Sequence, residues 1–476
     1  MFFMKKRIWT LLAFAFVLAG CSKDPDGPEV VAEGPRLVSS LPEDGASVLT
    51  GTSLTFQLTF DQNVFCPTSE RNRISVSNGA SITRVDAYMK DVTLQLDGLQ
   101  GGKTYTLTLP KGTVYGYRDN PADEISLSFS VKETKEPSGQ DISAELVTSD
   151  PLPNARRLYD YLRSVYGQKT LSGAMAKVAW NTDEADWILR WTGKAPAIAT
   201  FDYIHLPYSS PESWIDYGDI RPAKDWFDAG GIISAGWHWN VPKSAGGTDL
   251  TFGVDGSFKA SNAVKQGTWE NDIVQADLKK IAGYLKLLQD EGIPVLWRPL
   301  HEAAGNTYTQ WHTGAWFWWG NSGADAYREL WKYMFDFFRQ EGIRNLIWVW
   351  TTQTSTDSDA DFAFYPGDDY VDIIGCDIYG PEGSSASVSA VSGQYSTIVK
   401  YGEGKMITLS ECGRMPAMKS LWDAGAKWLY FTPWYDYDND FSEKFPHIYA
   451  TIDWWKSAFD SAFVVDRDSL PEDLYQ

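Results

Sequence analysis

Two glutamates that follow apolar segments are the residues of this chain best placed to do chemistry. The first, Glu302, ends residues 293–302, which begin as an apolar run and finish with Arg298, His301 and Glu302. Short apolar runs are typical of strands buried on both faces, and strand alternation places Arg298 and Glu302 on one face. The second, Glu411, ends another such run. We therefore expect both carboxyl groups to emerge at the ends of buried strands.

Paired carboxyl groups of this kind suit the hydrolysis of a glycosidic bond. In a retaining mechanism one carboxyl group is protonated and donates to the leaving oxygen, while the other is ionised and attacks the anomeric carbon. Their surroundings must therefore give them different pKa values. Tyr379 and His301 are placed to hydrogen-bond a carboxylate and hold it ionised, although each could equally be a structural polar group. A lone Arg–Glu pair would be compatible with a structural role, whereas a second glutamate at equivalent depth favours catalysis.

The sequence after residue 145 predicts a scaffold that would bring these residues together. Strand-like and helix-like segments alternate there, and the helices predicted at 273–291 and 324–341 are each followed by glycine. The predicted strands are 170–174, 196–204, 231–239, 293–302, 345–353, 371–379, 405–411 and 428–434. Eight strands alternating with helices predict an α/β fold of the (β/α)8, or TIM, barrel type, whose active site lies at the carboxyl ends of the strands. The polar or aromatic residues at those ends are His238, His301, Glu302, Asp377, Tyr379, Glu411 and Trp434.

The start of the chain resembles a bacterial lipoprotein signal. Basic residues at positions 5–7 precede a short apolar run that leads to Cys21. The resemblance implies removal of residues 1–20, a lipid on Cys21 and a spacer over residues 21–34; a secretory signal without lipid is the alternative. We expect a protein anchored in a membrane of a Gram-negative bacterium. The outer membrane is the preferred location, with the protein on the cell surface or the periplasmic side.

Residues 35–132 predict a separate all-β domain. Polar and apolar residues alternate in 53–60, 92–96, 104–109 and 125–131. Several such strands in a short stretch predict a β-sandwich, and the segment resembles bacterial Ig-like domains. We expect it to act in spacing or docking, with glycan binding as the alternative. Residues 133–144 are polar and predict a linker, which leaves 145–476 as the catalytic domain.

Charge, histidines and cysteines restrict the partners. The chain carries a formal net charge of −20, which argues against nucleic acid or an anionic lipid surface as a partner but would not repel a neutral polysaccharide. The four cysteines lack the spacing of a disulfide framework. The five histidines lack metal-binding spacing. We expect a monomer that needs no metal ion and no cofactor.

The segment around Glu302 resembles glycoside hydrolase family 26. The matching segments are 172–173, 236–240, 298–302, 316–320, 371–375 and 409–413, and the resemblance covers residues 145–476. Most characterised members of that family are endo-acting β-1,4-mannanases that retain configuration and need no metal. The resemblance implies that Glu302 is the acid/base, that Glu411 is the nucleophile, and that His301 and Tyr379 support Glu411.

The same resemblance points to further substrate-binding or supporting residues. His238, Trp316 and Trp434 would contact sugar near the cleavage point. The remaining candidates in the matching segments are Arg298, Asp372 and Asp377. The chain departs from the family pattern in residues 303–315, which form a longer joint and leave the shape of the adjoining subsites open.

Together these features predict a retaining glycoside hydrolase that cleaves β-1,4-mannosidic bonds in mannan, galactomannan or glucomannan by double displacement. A β-1,3-1,4-glucanase or a β-1,3-xylanase on the same scaffold is one alternative. A non-catalytic glycan-binding lipoprotein is another, and the presence of both carboxyl groups argues against it. The preferred mannan, and endo or exo action, stay open.

Overall fold

The chain folds around two separate hydrophobic cores. A computed structural model describes residues 33–48, 53–116, 119–131, 138–305, 314–353, 358–380, 384–402 and 404–476. One core belongs to the residues before 132 and the other to the residues after 138. Cys21 lies outside the described residues, as does most of the longer joint predicted after Glu302.

The first unit is the predicted β-sandwich. Its strands are β1 (Leu37–Leu41), β2 (Ala46–Val48), β3 (Ser53–Phe60), β4 (Ser75–Val76), β5 (Ser81–Tyr88), β6 (Asp91–Asp97), β7 (Thr104–Leu109) and β8 (Ile125–Val131). They form two four-stranded sheets, ordered β1-β3-β6-β5 and β2-β8-β7-β4. Alternation turns one face of each sheet inward, so that Phe56 of one sheet packs on Phe129 of the other with ring centroids 5.1 Å apart.

The second unit contains the predicted barrel. Its strands are β9 (Thr170–Met175), β10 (Ile198–Asp202), β11 (Ile232–Trp237), β12 (Val241–Pro242), β13 (Leu250–Thr251), β14 (Val295–Pro299), β15 (Leu346–Gln353), β16 (Ile373–Ile378), β17 (Met406–Cys412), β18 (Tyr430–Pro433) and β19 (Val464–Val465). Eight of them pair in parallel in the order β10-β11-β14-β15-β16-β17-β18-β9, and β9 also pairs with β10. This last pairing closes the barrel, and all eight predicted strands are confirmed.

Helices cover the outside of the barrel. They are α1 (Pro153–Val165), α2 (Asp183–Thr192), α3 (Arg221–Asp228), α4 (Ala260–Ala263), α5 (Trp269–Asp290), α6 (Ala324–Gln340), α7 (Ser358–Phe362), α8 (Val388–Tyr401), α9 (Met418–Asp423) and α10 (Ile452–Phe459). Helix α5 begins earlier than predicted because the Thr268 hydroxyl accepts a hydrogen bond from the Asn271 N–H at 3.2 Å. The glycines predicted to end α5 and α6 have left-handed φ values of 72° at Gly292 and 75° at Gly342. Within the described residues, no helix is both long enough and apolar enough to cross a bilayer.

The backbone that carries Glu302 departs from the predicted strand. Strand β14 stops at Pro299, and the non-glycine residues Leu300 and Glu302 have φ values of 51° and 54°. This left-handed conformation is unfavourable for such residues and is held by surrounding contacts. The Glu302 N–H donates to the Thr351 carbonyl at 3.0 Å, and the Tyr327 hydroxyl donates to the Leu300 carbonyl at 2.9 Å. The expectation that strand alternation continues to Glu302 was therefore wrong.

A β-bulge sets the direction of Glu411. Cys376 of β16 pairs with Leu409 of β17, but the next residue, Asp377, pairs with Glu411, so Ser410 is an extra residue in β17. A bulge of this kind redirects the side chains that follow it. It brings the Glu411 carboxylate opposite Asp377 at the carboxyl end of the sheet.

The barrel begins before residue 145. The side chain of Ile142 is 6% exposed and lies in the barrel core, and the Arg163 guanidinium donates to the Ile142 carbonyl at 3.1 Å. Residues from Ser138 onward thus belong with the barrel, and the predicted linker of 133–144 was too long. The segment is mostly polar, so Ile142 was overlooked in the sequence, although its burial attaches the segment to α1.

Candidate active site

Three carboxyl groups meet at the mouth of the barrel. One oxygen from each of Glu302, Asp377 and Glu411 lies within 4.8 Å of the others. Asp377 is 1% exposed and Glu411 6%, whereas Glu302 is less deeply buried. The barrel therefore brings together the two glutamates that the sequence pairs, with an aspartate between their strands.

Arg298 and Tyr379 hold Glu411 from both sides. The Arg298 guanidinium donates to Glu411 Oε2 at 2.6 Å and to Asp377 Oδ2 at 2.9 Å. The Tyr379 hydroxyl donates to the other oxygen, Glu411 Oε1, at 2.6 Å. Two short donors, one of them charged, hold the carboxylate in the fixed orientation that a nucleophile requires. The predicted contact of Tyr379 is thus present, and Arg298 supplies a second one.

Glu302 lies in the opposite electrostatic environment. The pKa of Glu302 is raised to about 7, mainly by burial and secondly by the negative charge of Glu411. Burial also raises the pKa of Asp377 well above its ordinary value, although Arg298 opposes the rise. Glu302 and Asp377 share a side-chain hydrogen bond. Glu302 can therefore carry a proton near neutral pH while Glu411 faces two donors, which is the division of roles that general acid catalysis requires.

The two histidines contact each other. The His238 Nδ1 atom is hydrogen-bonded to Asp202, whose other oxygen accepts from the His238 N–H at 3.0 Å. Burial favours the neutral ring, but the Asp202 carboxylate outweighs it and raises the pKa of His238. His238 Nε2 lies 3.1 Å from His301 Nε2. Burial, followed by the charge of Arg298, lowers the pKa of His301 well below its ordinary value, which favours the neutral ring.

His301 therefore does not support Glu411 directly. Its Nε2 faces His238, and among the described residues its Nδ1 has no hydrogen-bond partner. The residues on either side of His301, Leu300 and Glu302, have left-handed backbone conformations. The His301 side chain therefore does not point in the direction that strand alternation predicts. Asp202 was missed by sequence reasoning, although its place at the end of the second barrel strand was a usable signal.

Aromatic rings line the mouth beside these groups. The half-buried Trp434 ring meets His238 edge-on with centroids 5.7 Å apart. The half-buried Trp316 meets Phe317 with centroids 6.3 Å apart, and Phe317 in turn contacts His301 at 5.2 Å. Both predicted tryptophans thus lie at the mouth, where a partly open ring can stack on a sugar. Phe317 was not predicted because it reads as one of many packing aromatics.

Asp372 does not belong to this site. It precedes β16, whereas Asp377 and Tyr379 lie at or beyond the carboxyl end of that strand, so Asp372 is at the opposite end of the barrel. Its two oxygens accept from the N–H groups of Val147 and Trp348, each at 2.8 Å. Burial raises its pKa to about 6. Its role is to join the start of the barrel domain to β15.

The three carboxyl groups could also form a metal site. Among the described residues, Glu302, Asp377 and Glu411 are a group whose oxygens lie close enough for one ion, and such a donor set suits hard cations. Arg298 already donates to two of the three, so a fixed positive charge lies where a dication would bind and repels it. The donor set fits proton transfer better than metal binding, and metal independence stays a prediction.

A closed (β/α)8 barrel with glutamates at the ends of its fourth and seventh strands, preceded by a β-sandwich, is the architecture of a two-domain glycoside hydrolase. The sequence agrees. Residues 147–469 match glycosyl hydrolase family 26, and residues 31–131 match the bacterial Ig-like domain. The first match covers more than half of the chain, and this chain belongs to glycosyl hydrolase family 26.

Individual relatives agree with the family. The chain is 36% identical over 327 residues to a mannan endo-1,4-β-mannosidase of Thermothelomyces thermophilus, which covers 67% of this chain and 61% of the relative. It thus spans about three-fifths of the length of that relative.

Solved structures agree with the fold. The family 26 domain of an endo-β-mannanase/endo-β-glucanase from Prevotella bryantii has a TM-score of 0.61 and 42% identity, covering 69% of this chain and all of that domain. A β-mannanase from a symbiotic protist of the termite Reticulitermes speratus, solved with a gluco-manno-oligosaccharide, has a TM-score of 0.57 and 34% identity, covering 70% of this chain and 98% of that one.

Proposed function

We propose that this protein is a retaining β-mannanase that cleaves β-1,4-mannosidic bonds by double displacement. The observation that carries the proposal is the pairing of Glu302 with Glu411. Their oxygens approach within 4.8 Å, as suits the spacing of about 5–5.5 Å in retaining enzymes and not that of about 6.5–9.5 Å in inverting ones. Their surroundings differ in the direction that double displacement needs.

The reaction follows from these placements. Glu302 gives its proton to the glycosidic oxygen as the bond to the anomeric carbon breaks, and a Glu411 oxygen forms a bond to that carbon. The leaving sugar departs neutral and the glycosyl-enzyme ester remains. Glu302, now ionised, takes a proton from water, whose oxygen displaces Glu411. Arg298 and Tyr379 stabilise Glu411 as the free carboxylate at the start and end of the cycle.

The choice of mannan rests on the relatives. Those compared above are described as mannanases, and one was solved with a gluco-manno-oligosaccharide. The Prevotella bryantii protein is described as both an endo-β-mannanase and an endo-β-glucanase, which keeps mixed-linkage β-glucan among the substrates to be tested, together with β-1,3-xylan.

The first experiment measures specificity and stereochemistry together. Linear mannan, galactomannan, glucomannan, mixed-linkage β-glucan and β-1,3-xylan are each incubated with the full chain, and the products are resolved by mass. Proton NMR then follows the new reducing end before mutarotation. We expect mannan to be cleaved and the β-anomer to appear first. An α-anomer would contradict the nucleophilic role of Glu411, and preference for another polysaccharide would contradict the substrate.

Replacing each of the two glutamates should impair a different step of the reaction. With Glu302→Ala, a dinitrophenyl mannobioside needs no proton on its leaving group, so the glycosyl-enzyme should form and then hydrolyse slowly; azide should give a β-azide. With Glu411→Ala the first attack is lost, and azide should enter that space directly and give the α-azide. Identical azide products from the two variants would refute the assigned roles. Asp372→Ala serves as the control because Asp372 lies at the other end of the barrel.

The location of the protein forms a separate part of the proposal. We expect Cys21 to carry a lipid that anchors the protein in the outer membrane, on the basis of the apolar run and basic residues before it. Expression of the full chain in a Gram-negative host with labelled palmitate should label the wild type and leave Cys21→Ser unlabelled. Equal labelling of both would contradict the anchor.

A further inference from the structure

An exposed aromatic cluster lies beside the mouth of the barrel, away from the carboxyl groups. It consists of His205, Tyr208 and Trp214 in the connection between β10 and α3. The Trp214 side chain is 65% exposed and Tyr208 49%. The imidazole of His205 meets Trp214 at 4.6 Å between centroids with the rings at 68°. Exposing such a large apolar ring to water is energetically unfavourable, and packing within the protein does not explain why the ring is exposed.

The connection that carries Trp214 is held firmly. The hydroxyl of Tyr217 donates to the Asp202 carbonyl at 2.8 Å and accepts from the His205 N–H at 3.1 Å. The Tyr217 N–H donates to the Ser209 hydroxyl at 2.9 Å, and that hydroxyl lies 2.9 Å from the Tyr284 hydroxyl of α5. Trp214 is therefore displayed from a fixed segment, so a ligand would pay little entropy to use it.

A surface pocket adjoins the ring. It has a volume of about 350 Å³ and is bounded by Trp214 and Asp216 on one side and by Trp180 and Asn181 on the other. That volume falls in the range of about 300–1,000 Å³ typical of small-molecule sites. Asp216 presents a half-buried carboxylate that accepts one hydrogen bond, from the Gly218 N–H at 2.8 Å. An aromatic wall with a few oxygen acceptors suits a neutral ligand rich in hydroxyl groups, and the acidic side chains disfavour an anion.

The pocket opens on the same end of the barrel as the glutamates. Its walls follow the carboxyl ends of β9 and β10, and Tyr217 bonds to Asp202, which in turn holds His238 beside the catalytic groups. Among the described residues, the lining of the pocket does not include Glu302 or Glu411, which follow or end β14 and β17. A ligand that reached both places would have to extend beyond the catalytic groups, as a polysaccharide chain does.

We infer that Trp214 and the adjoining pocket form a distal subsite that binds a sugar ring of the polysaccharide chain several units from the cleaved bond. This inference rests on the proposed function, since it takes the polysaccharide to be β-mannan. Trp214 stacks on the apolar face of the ring, His205 fixes the tryptophan from behind, and Asp216 accepts from a sugar hydroxyl. Such a subsite adds affinity for long chains without taking part in the chemistry.

The test compares a long and a short substrate in the full chain. Trp214→Ala should raise KM for mannohexaose about two- to twelvefold, as expected for one lost stacking contact, and leave kcat nearly unchanged because the contact is the same in the ground and transition states. Hydrolysis of dinitrophenyl β-mannobioside, which is too short to span both places, should not change. Trp214→Phe should recover part of the affinity. Tyr88→Ala, which removes a 74% exposed ring from the Ig-like domain, should change neither substrate.

Each other outcome has a definite meaning. Unchanged kinetics of Trp214→Ala on both substrates would overturn the inference, since Trp214 would then be a surface ring without a ligand. An equal loss on both substrates would also overturn it, because the residue would then act on the catalytic centre or on the fold. If the wild type cleaves the mannobioside but shows no preference for mannohexaose, the distal subsite fails and the proposed function stands. If the wild type cleaves neither, the proposed function fails and this inference fails with it.

Discussion

Replacing Glu411 by glutamine should lower the pKa of Glu302. The substitution keeps the size of the side chain and removes its charge, so it isolates the electrostatic effect of one carboxyl group on the other. Because the nearest oxygens lie within 4.8 Å of each other, two charges repel by at least about 0.9 kcal/mol in bulk water and about 3.5 kcal/mol at an effective dielectric constant of about 20. These limits correspond to about 0.6 and about 2.5 pKa units.

Several groups act on Glu302 together. Burial is the largest cause of the rise in its pKa from 4.5 to about 7, and Glu411 is the next, while Asp377, Arg298 and His238 oppose the rise. We expect a fall of about 1 pKa unit in Glu411→Gln, which equals about 1.4 kcal/mol. Arg298 is released from one partner by the same change, and its positive charge acts in the same direction.

Carbon NMR of glutamate labelled at the carboxyl carbon can follow the titration directly. The Glu302 signal is assigned as the one absent from the Glu302→Gln variant, and it is titrated in the wild type, in Glu411→Gln and in Asp372→Asn as a distant control. Wild-type kcat/KM should fall as the pH rises through about 7, because the proton donor Glu302 is then ionised in the free enzyme. A Glu302 titration that stays in place or moves upward in Glu411→Gln would refute the reasoning.

Three further outcomes follow from the structure. Tyr379→Phe should lower kcat/KM on mannan about 10- to 150-fold, since it removes a hydrogen bond to a charged group worth ~1.5–3 kcal/mol, and unchanged kinetics would show that Arg298 alone suffices. Asp372→Ala should leave kinetics at 25 °C unchanged and lower the free energy of unfolding in urea by ~1–3 kcal/mol, because the buried N–H of Trp348 and the partly buried N–H of Val147 lose their acceptor; lost activity with intact stability would place Asp372 in the site after all. A fragment beginning at Ser138 should hydrolyse soluble mannan like the full chain, since the barrel has a core of its own, and a fragment that fails to fold would show that the Ig-like domain is needed.

The positions of the strands and the two glutamates could be read from the sequence because they depend on local patterns. A run of apolar residues is buried wherever it lies, and a polar residue that ends the run must find a place at the edge of the core. The residues around Glu302 and Glu411 carry both signals. The count of eight such strands then leaves few arrangements other than a closed barrel, which fixes the end where the polar residues meet.

The pairings among the side chains could not be read in the same way, because they join parts of the chain that are far apart. Arg298 is close in sequence to both His301 and Glu302, yet its partners are Asp377 and Glu411. Asp372 and Asp377 lie five positions apart and look alike, but the direction of one strand puts them at opposite ends of the barrel.

Two backbone irregularities completed the site. The left-handed conformations at Leu300 and Glu302, and the extra residue Ser410 in β17, break the alternation on which any reading of strand faces depends. The energetic cost of these conformations is offset by contacts with neighbouring strands and helices, such as the hydrogen bond from the Glu302 N–H to the Thr351 carbonyl. Local sequence specifies which residues are available for catalysis, and the packing of the closed barrel specifies where their charges point.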